Sequence, residues 1–253
     1  MSEGVITDFI NGLDQSTSID ESFSALSSAI EALGFNAIAY TYIPQGQALS
    51  SYTPIFLASE HFSHNFLNHY QEADLVQHDF TVKRISNGYS QVMSWQQELQ
   101  QQTLSADEGN LVQLARYDYG INNAISIPLQ SDANAISGAS ILSEESDGVF
   151  DILTQEQLHH AKLITQLFHQ HVQSNIGFKK YFYQNILNHL TNDEKRVLKF
   201  VIQGRPFKQS QDICGISPSY AANICSRLMR KWDVKNSAEL SHIAGVHHLI
   251  EMF

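Results

Sequence analysis

A helical stretch near the end of the chain carries the residues whose types and spacing best suit contact with a nucleic acid. Ser217 followed by Pro218 predicts a first helical turn, because a serine oxygen caps free amides and proline tolerates the first position. Ala221, Ile224 and Leu228 recur at helical spacing and form an apolar face. The other face carries Ser217, Ser219, Tyr220, Asn223, Arg227, Arg230 and Lys231. Short polar groups can reach base edges and cations can pair with phosphates, so we predict that this face contacts double-stranded DNA.

The distribution of charge favours the same part of the chain. Residues 1–177 hold four Lys or Arg against 20 Asp or Glu, a net charge of −16, whereas residues 178–253 hold 11 against six, a net charge of +5. Only the last third therefore has the charge that phosphate binding requires. The acidic remainder is expected to be repelled by DNA.

The residues around this stretch predict further helices. Thr191 and Glu194 have the spacing of a capping box, and Gly204 ends the apolar pattern that follows them. A weaker helix is predicted at 207–214, just before the DNA-contacting face. We therefore predict a small all-α domain at 189–253 that contains a helix-turn-helix.

The first 176 residues alternate between helical and extended patterns. Helices are predicted at 19–34, 59–70, 105–118 and 154–176. Strands are predicted at 35–43, 55–58, 89–95, 124–129 and 136–142, with a turn at 44–46. The polar turn between the last two strands indicates an antiparallel hairpin. We therefore predict an α+β fold at 1–176, an N-terminal α-β-α sandwich with an antiparallel sheet, joined to the all-α domain by a linker at 177–188.

Two of these helices have predicted starting residues. Ser59 is the predicted N-cap of the helix at 59–70. Thr154, followed three residues later by Gln157, has the spacing of a capping box and predicts the start of the last helix.

The C-terminal segment resembles the helix-turn-helix of the LuxR family. The resemblance rests on the spacing from Gly204 to Ser217 and on Leu190, Thr191, Glu194, Leu198, Gly204, Ile216, Ser217, Lys231, Val234 and Asn236. It implies that Glu194, Leu198 and Gly204 serve the scaffold. The sequence departs from the family at Ser210-Gln211, where the family has Ile-Ala, and at Tyr220-Ala221, where it has Thr-Val.

The first part of the chain resembles the autoinducer-binding domain of quorum-sensing LuxR regulators. The similar segments are FLNHYQEADLVQHDFTVKRI at 66–85, Ser94-Trp95, YGINNA at 119–124 and Pro128-Leu129. The resemblance implies that Asp79 accepts a hydrogen bond from the amide of an acyl-homoserine lactone, and that Tyr70 and Trp95 wall its acyl chain. Phe62 and Phe66 complete the predicted ligand-binding set.

Elementary chemistry agrees with this implied pocket. A small acylated ligand needs an apolar cavity with a few convergent polar groups. A buried carboxylate such as Asp79 is costly unless a ligand or a neighbour hydrogen-bonds it. Two other interpretations stay open: the aromatic residues can be ordinary core residues, and Asp79 can be a structural cap.

Three departures from the family bear on the ligand. Phe66 stands where the family has a tryptophan that donates to the lactone carbonyl, and phenylalanine has no donor. Phe80 stands in place of a proline, and Ala124 in place of a glycine. These changes predict a divergent sensor that binds a different ligand, or none.

Other kinds of chemistry lack support. No cysteine or second acidic group is set at metal-ligand spacing near the clustered histidines, so no metal site is expected at His61, His64, His69 and His78. No phosphate-binding loop or nucleophile elbow is present, so we expect no catalytic residues, no enzyme activity and no cofactor. The chain has no apolar run of about 18 residues and no signal-peptide pattern, so a cytoplasmic protein without a membrane partner is expected.

Together these observations predict a homodimeric, ligand-sensing transcription regulator. Its long helix at 154–176 is the natural candidate for the dimer contact, although its apolar residues Leu158, Leu163 and Leu167 can equally pack into the core. The alternative is an anti-activator that forms heterodimers with another LuxR-type regulator and does not itself bind DNA.

Overall fold

The structure, a computed structural model, describes residues 2–45 and 54–253. Within these residues the chain divides into two compact units, which are residues 2–43 with 54–178, and residues 44–45 with 179–253. The turn predicted at 44–46 lies partly outside the described residues.

An antiparallel sheet organises the first unit. Within the described residues its strands are β1 (Ala37–Pro44), β2 (Ile55–Ala58), β3 (Met93–Ser94), β4 (Asn123–Ser131) and β5 (Ala135–Ser143). Their order across the sheet is β2-β1-β5-β4-β3, and β1 with β2, β3 with β4, and β4 with β5 pair antiparallel. The predicted combination of helices with an antiparallel sheet is confirmed.

Helices cover both faces of this sheet. The helices are α1 (Ser2–Gln15), α2 (Ile19–Ala32), α3 (His64–Glu72), α4 (Phe80–Ser86), α5 (Trp95–Gln100), α6 (Ala106–Tyr119) and α7 (Asp147–Ser174). Successive residues of β1 point to opposite faces. Ala39 lies in an apolar cluster with Leu67 of α3 and Ala115 of α6, whereas the ring of Tyr40 contacts Phe168 of α7 with centroids 5.2 Å apart.

The start of α3 differs from the prediction. Ser59 does not cap the helix, because its hydroxyl accepts a hydrogen bond from the amide of Ile38 in β1. Ser63 caps α3 instead and accepts from the amide of Phe66. Pairing with a strand distant in the sequence therefore decides the role of Ser59.

Two other predicted boundaries are wrong. The helix α7 begins after Ser146, so Thr154 lies inside it, and the buried ring of Phe150 anchors the extra turns against Phe35. The strand predicted at 89–95 shortens to β3, because Ser94 caps α5 and Trp95 is already helical.

The second unit is helical throughout. The short α8 (Ile176–Lys179) leads into it, and it contains α9 (Gln184–Asn188), α10 (Asn192–Ile202), α11 (Ser210–Cys214), α12 (Pro218–Lys231) and α13 (Ser237–Val246). The predicted capping box at the start of α10 is confirmed, since both hydrogen bonds between Thr191 and Glu194 are present. Phe182 and Tyr183 are buried, and the Tyr183 hydroxyl is hydrogen-bonded to Nδ1 of His247, 2.9 Å away. Residues 179–188 therefore contribute to the core of this unit.

None of the helices in the described ranges combines the length and apolar character that crossing a bilayer requires.

Candidate functional site

A small cavity of about 50 Å³ lies in the first unit and is bordered by β1, β4, β5 and the helices α3 and α4. All five residues predicted for ligand binding line it, namely Phe62, Phe66, Tyr70, Asp79 and Trp95. The aliphatic part of its wall includes Ile43, Leu67, Val82, Ile85 and Ile136.

Helix α3 brings the aromatic residues together. Phe66 and Tyr70 are four residues apart and therefore share one face of the helix. Their rings meet edge to face with centroids 6.0 Å apart, and Tyr70 makes a similar contact with Phe56 of β2 at 5.5 Å. Phe66 also meets Tyr119 at the end of α6, at 5.4 Å. The rings thus interlock across α3, β2 and α6.

Asp79 is the N-cap of α4 and is satisfied by its neighbours. Its Oδ1 accepts hydrogen bonds from the amide and hydroxyl of Thr81, at 2.7 and 2.6 Å, and from the amide of Val82 at 3.3 Å. Its Oδ2 accepts from the hydroxyl of Tyr70 at 2.9 Å. Burial, reinforced by the charge of Asp79, raises the pKa of Tyr70 well above its usual value, so this phenol stays a donor. The structure therefore supports the capping interpretation of Asp79.

A chain of three polar groups forms another part of the wall. The indole N–H of Trp95 donates to the hydroxyl of Ser126 at 2.9 Å, and that hydroxyl is hydrogen-bonded to Ser140 at 2.9 Å. Ser126 and Ser140 are opposite each other in the β4–β5 pairing. Neither serine was predicted from the sequence, because only the register of the hairpin places them beside Trp95.

A polar contact connects the sheet to α7. Ser137 of β5 lines the cavity, and its hydroxyl lies 3.4 Å from Nδ1 of His169. The hydroxyl of Tyr40 is hydrogen-bonded to the same nitrogen at 2.8 Å, and burial raises the pKa of Tyr40. The sequence offered no signal for this contact, which joins residues about 130 positions apart.

Ion pairs hold α4 against the helices that follow it. Arg84 makes two hydrogen bonds to the carboxylate of Glu98, at 2.5 and 2.7 Å, and these lower the pKa of Glu98. The ammonium of Lys83 lies 2.9 Å from Oε1 of Glu108. Although burial opposes ionisation, Lys83 and Ser105 together lower the pKa of Glu108 to about 2.

The family of the chain follows from one comparison. Residues 18–172, more than half of the chain, match the autoinducer-binding domain family. The chain belongs to the LuxR-type family that carries this domain. No curated protein matches it by sequence.

Solved structures show the same fold in other LuxR-type proteins. SdiA of Escherichia coli superposes with a TM-score of 0.59 at 13% identity, covering 95% of each chain. CepR2 of Burkholderia cenocepacia, an N-acylhomoserine lactone-dependent LuxR family transcription factor, gives a TM-score of 0.55 at 14% identity, covering 69% of this chain and 96% of its own. SdiA in complex with octanoyl-rac-glycerol gives 0.51 at 12% identity, covering 98% and 96%. At such low identities the likeness concerns the fold alone.

In this LuxR-type chain the seven residues predicted to contact DNA are all exposed along α12. The guanidinium of Arg227 lies 6.0 Å from the ring centroid of Tyr220, two turns earlier on the same face. Lys231 differs from the others. Its ammonium donates to the carbonyl of His189 and lies 3.7 Å from Oε2 of Glu194, so it braces the second unit.

The histidines noted in the sequence do not assemble. His69 is hydrogen-bonded to the hydroxyl of Tyr119 at 2.7 Å, and His78 lies 3.8 Å from Asp107. No group of three or more metal-ligating side chains occurs within the part of the chain that the structure describes.

Proposed function

We propose that this chain is a DNA-binding transcription regulator of the quorum-sensing LuxR type, whose first unit senses an acyl-homoserine lactone or another small apolar ligand. The observation that carries the proposal is the match of residues 18–172 to the autoinducer-binding domain, followed by a basic helical unit with an exposed polar helix face. The cavity lined by Tyr70, Asp79 and Trp95 supports the sensing role.

The geometry around α12 supports the DNA-binding role. Helix α11 ends at Gly215, whose φ of 69° is a left-handed conformation that glycine adopts without strain. The chain then turns into α12, which begins at Pro218. Ala221 and Leu228 are buried, while Asn223, Arg227 and Arg230 remain exposed. A helix held in this way can enter the major groove with its polar face towards the bases.

We further propose that the active species is a homodimer that binds two half-sites about one DNA turn apart. The long helix α7 exposes Val149, Ile152 and Leu163, which are 46%, 59% and 42% accessible. Exposed aliphatic side chains along one helix suit contact with a second copy.

The alternative is an anti-activator that pairs with another LuxR-type regulator. The role of Lys231 favours it, because a cation that braces the fold is less available to phosphates. The net charge of −16 over residues 1–177 also favours the anti-activator, because this charge is repelled by DNA.

Binding of the full chain to a random-sequence DNA duplex at a series of salt concentrations distinguishes the two proposals. Fluorescence anisotropy of a labelled duplex is a suitable readout. A DNA-binding protein loses affinity steeply as salt rises, because cations of α12 release counterions from phosphates. Arg227→Ala is expected to weaken binding and reduce the salt slope by about one. Absence of binding at low salt, with a folded protein, would reject the DNA-binding role and favour the anti-activator.

A further inference from the structure

Polar side chains that line the cavity in the first unit are hydrogen-bonded to other protein groups. Trp95 donates to Ser126, whose hydroxyl is also bonded to Ser140, and Tyr70 donates to Asp79. Asp79, the one carboxylate in the lining, already accepts four hydrogen bonds. A ligand that offered its amide N–H would therefore compete with donors that are already in place.

The cavity is also too small for a lactone. Its volume is about 50 Å³. An apolar cavity of about 150 Å³ is known to hold a benzene molecule, and drug-sized ligands occupy pockets of about 300–1,000 Å³. A volume of this size suits a few water molecules, and an acyl chain with a lactone ring needs several times more.

Two rings take up much of the remaining space. Phe62 and Phe66 are only 3% and 4% accessible, and both line the cavity. Phe66 is fixed by edge-to-face contacts with Tyr70 and Tyr119. Buried aromatic side chains with such contacts contribute strongly to the stability of a core.

We propose that Phe62 and Phe66 determine what this site can hold. Their rings fill the space in which a ligand would lie, so the first unit reaches its folded state without a ligand and excludes acyl-homoserine lactones. Truncation of either ring opens a site for a ring-sized apolar molecule. This inference rests on the proposed role of the first unit as a small-molecule site and narrows it, but it is independent of DNA binding.

Thermal unfolding of the full chain, expressed without lactone, tests the proposal. The wild type is expected to unfold cooperatively, with a melting temperature that N-butanoyl- and N-octanoyl-homoserine lactone leave unchanged. Phe66→Ala is expected to lower the melting temperature by roughly 10 °C, because a buried ring is removed. Benzene is then expected to raise the melting temperature of this variant by several degrees, since binding to the folded state stabilises it.

Matched variants make the test specific. Phe66→Leu retains most of the side-chain volume and should show no response to benzene, as the wild type should not. Phe62→Ala repeats the experiment at the second ring and replaces Phe66→Ala if that variant does not fold.

Three results would overturn the proposal. The first is a rise in the melting temperature of the wild type with either lactone, and the second is the absence of a cooperative unfolding transition in the ligand-free wild type. The third is a pair of alanine variants that fold but whose melting temperatures do not change with benzene. Binding of a lactone would leave the proposed sensor function intact and remove only the inference about the two rings. Failure of the chain to bind DNA would reject the proposed DNA-binding role and would leave the inference about the two rings intact.

Discussion

The hydroxyl of Tyr70 donates a hydrogen bond to Oδ2 of Asp79 across 2.9 Å and joins α3 to the first turn of α4. The bond lies in the cavity wall. It links two elements that each contribute a polar side chain to the lining. Its strength therefore affects both the stability of the first unit and the shape of the cavity.

Removal of this bond should destabilise the protein. Tyr70→Phe is expected to lower the free energy of unfolding by about 1.5–3 kcal/mol, because a hydrogen bond to a charged, partly buried acceptor is lost. Urea unfolding followed by circular dichroism measures the loss. Tyr117→Phe is the matched control, since Tyr117 is 77% accessible. Equal stability of the two variants would contradict the importance of the bond.

The capping role of Asp79 predicts a graded response to substitution. Asp79→Ala removes the acceptor of the α4 amides and should cost about 1–2 kcal/mol for the cap, with a further cost from Tyr70. Asp79→Asn retains an oxygen that can cap the helix and should lose less stability than the alanine variant. The same urea titration compares the two. Identical losses would argue against capping as the main role of this side chain.

The pair formed by Lys83 and Glu108 predicts a dependence of stability on pH. The pKa of Glu108 is about 2 in the folded protein, below its ordinary value of 4.5. Ionised Glu108 therefore stabilises the fold above about pH 4.5, and this contribution disappears as the pH falls towards 2. Since Lys83 is nearly half exposed, the effect should be at most about 1 kcal/mol.

The variant Glu108→Gln isolates this contribution. Free energies of unfolding measured between pH 7 and pH 2.5 should differ between variant and wild type at neutral pH and converge in acid. A difference that stays constant across this range would mean that the charge of Glu108 does not matter.

Removal of two different cations of the second unit should change the stability of the protein by different amounts. Lys231→Ala is expected to lower the stability of this unit by about 1 kcal/mol, because Glu194 loses a charge partner and the carbonyl of His189 loses a hydrogen-bond donor. Arg227→Ala should leave stability within about 0.5 kcal/mol of the wild type, as is usual for exposed positions. Thermal unfolding of both variants checks the contrast, and a reversed order would show that the assignment of the two roles is wrong.

Several residues of the cavity wall could be predicted, because short-range spacing in the sequence places them on one helix face or because they match the family. Phe66 and Tyr70 fall on one helix face whatever the tertiary fold, and the family resemblance pointed to Asp79 and Trp95. The capping box at Thr191 and Glu194 is likewise a local signal. The partners in the pairs Phe66–Tyr70 and Thr191–Glu194 are near one another in the sequence.

The residues that the sequence analysis missed depend on distant pairing. Ser126 and Ser140 meet only because β4 and β5 adopt one particular register, and a shift of one residue would turn them away. Ser59 was predicted to begin a helix, but its hydroxyl accepts a hydrogen bond from the amide of Ile38 in β1. Lys231 stays a predicted DNA contact, but no signal in the sequence indicated its hydrogen bond to a carbonyl 42 residues earlier.

The chain contains two tryptophans, and each unit holds one of them. The indole N–H of Trp95 is hydrogen-bonded to Ser126 beside the cavity. The indole N–H of Trp232 is buried and has no partner among the described residues. Intrinsic fluorescence can therefore follow each unit separately, without an attached dye. In a Trp232→Phe variant the emission would come from the ring beside the cavity alone, whereas in a Trp95→Phe variant it would report the helical unit.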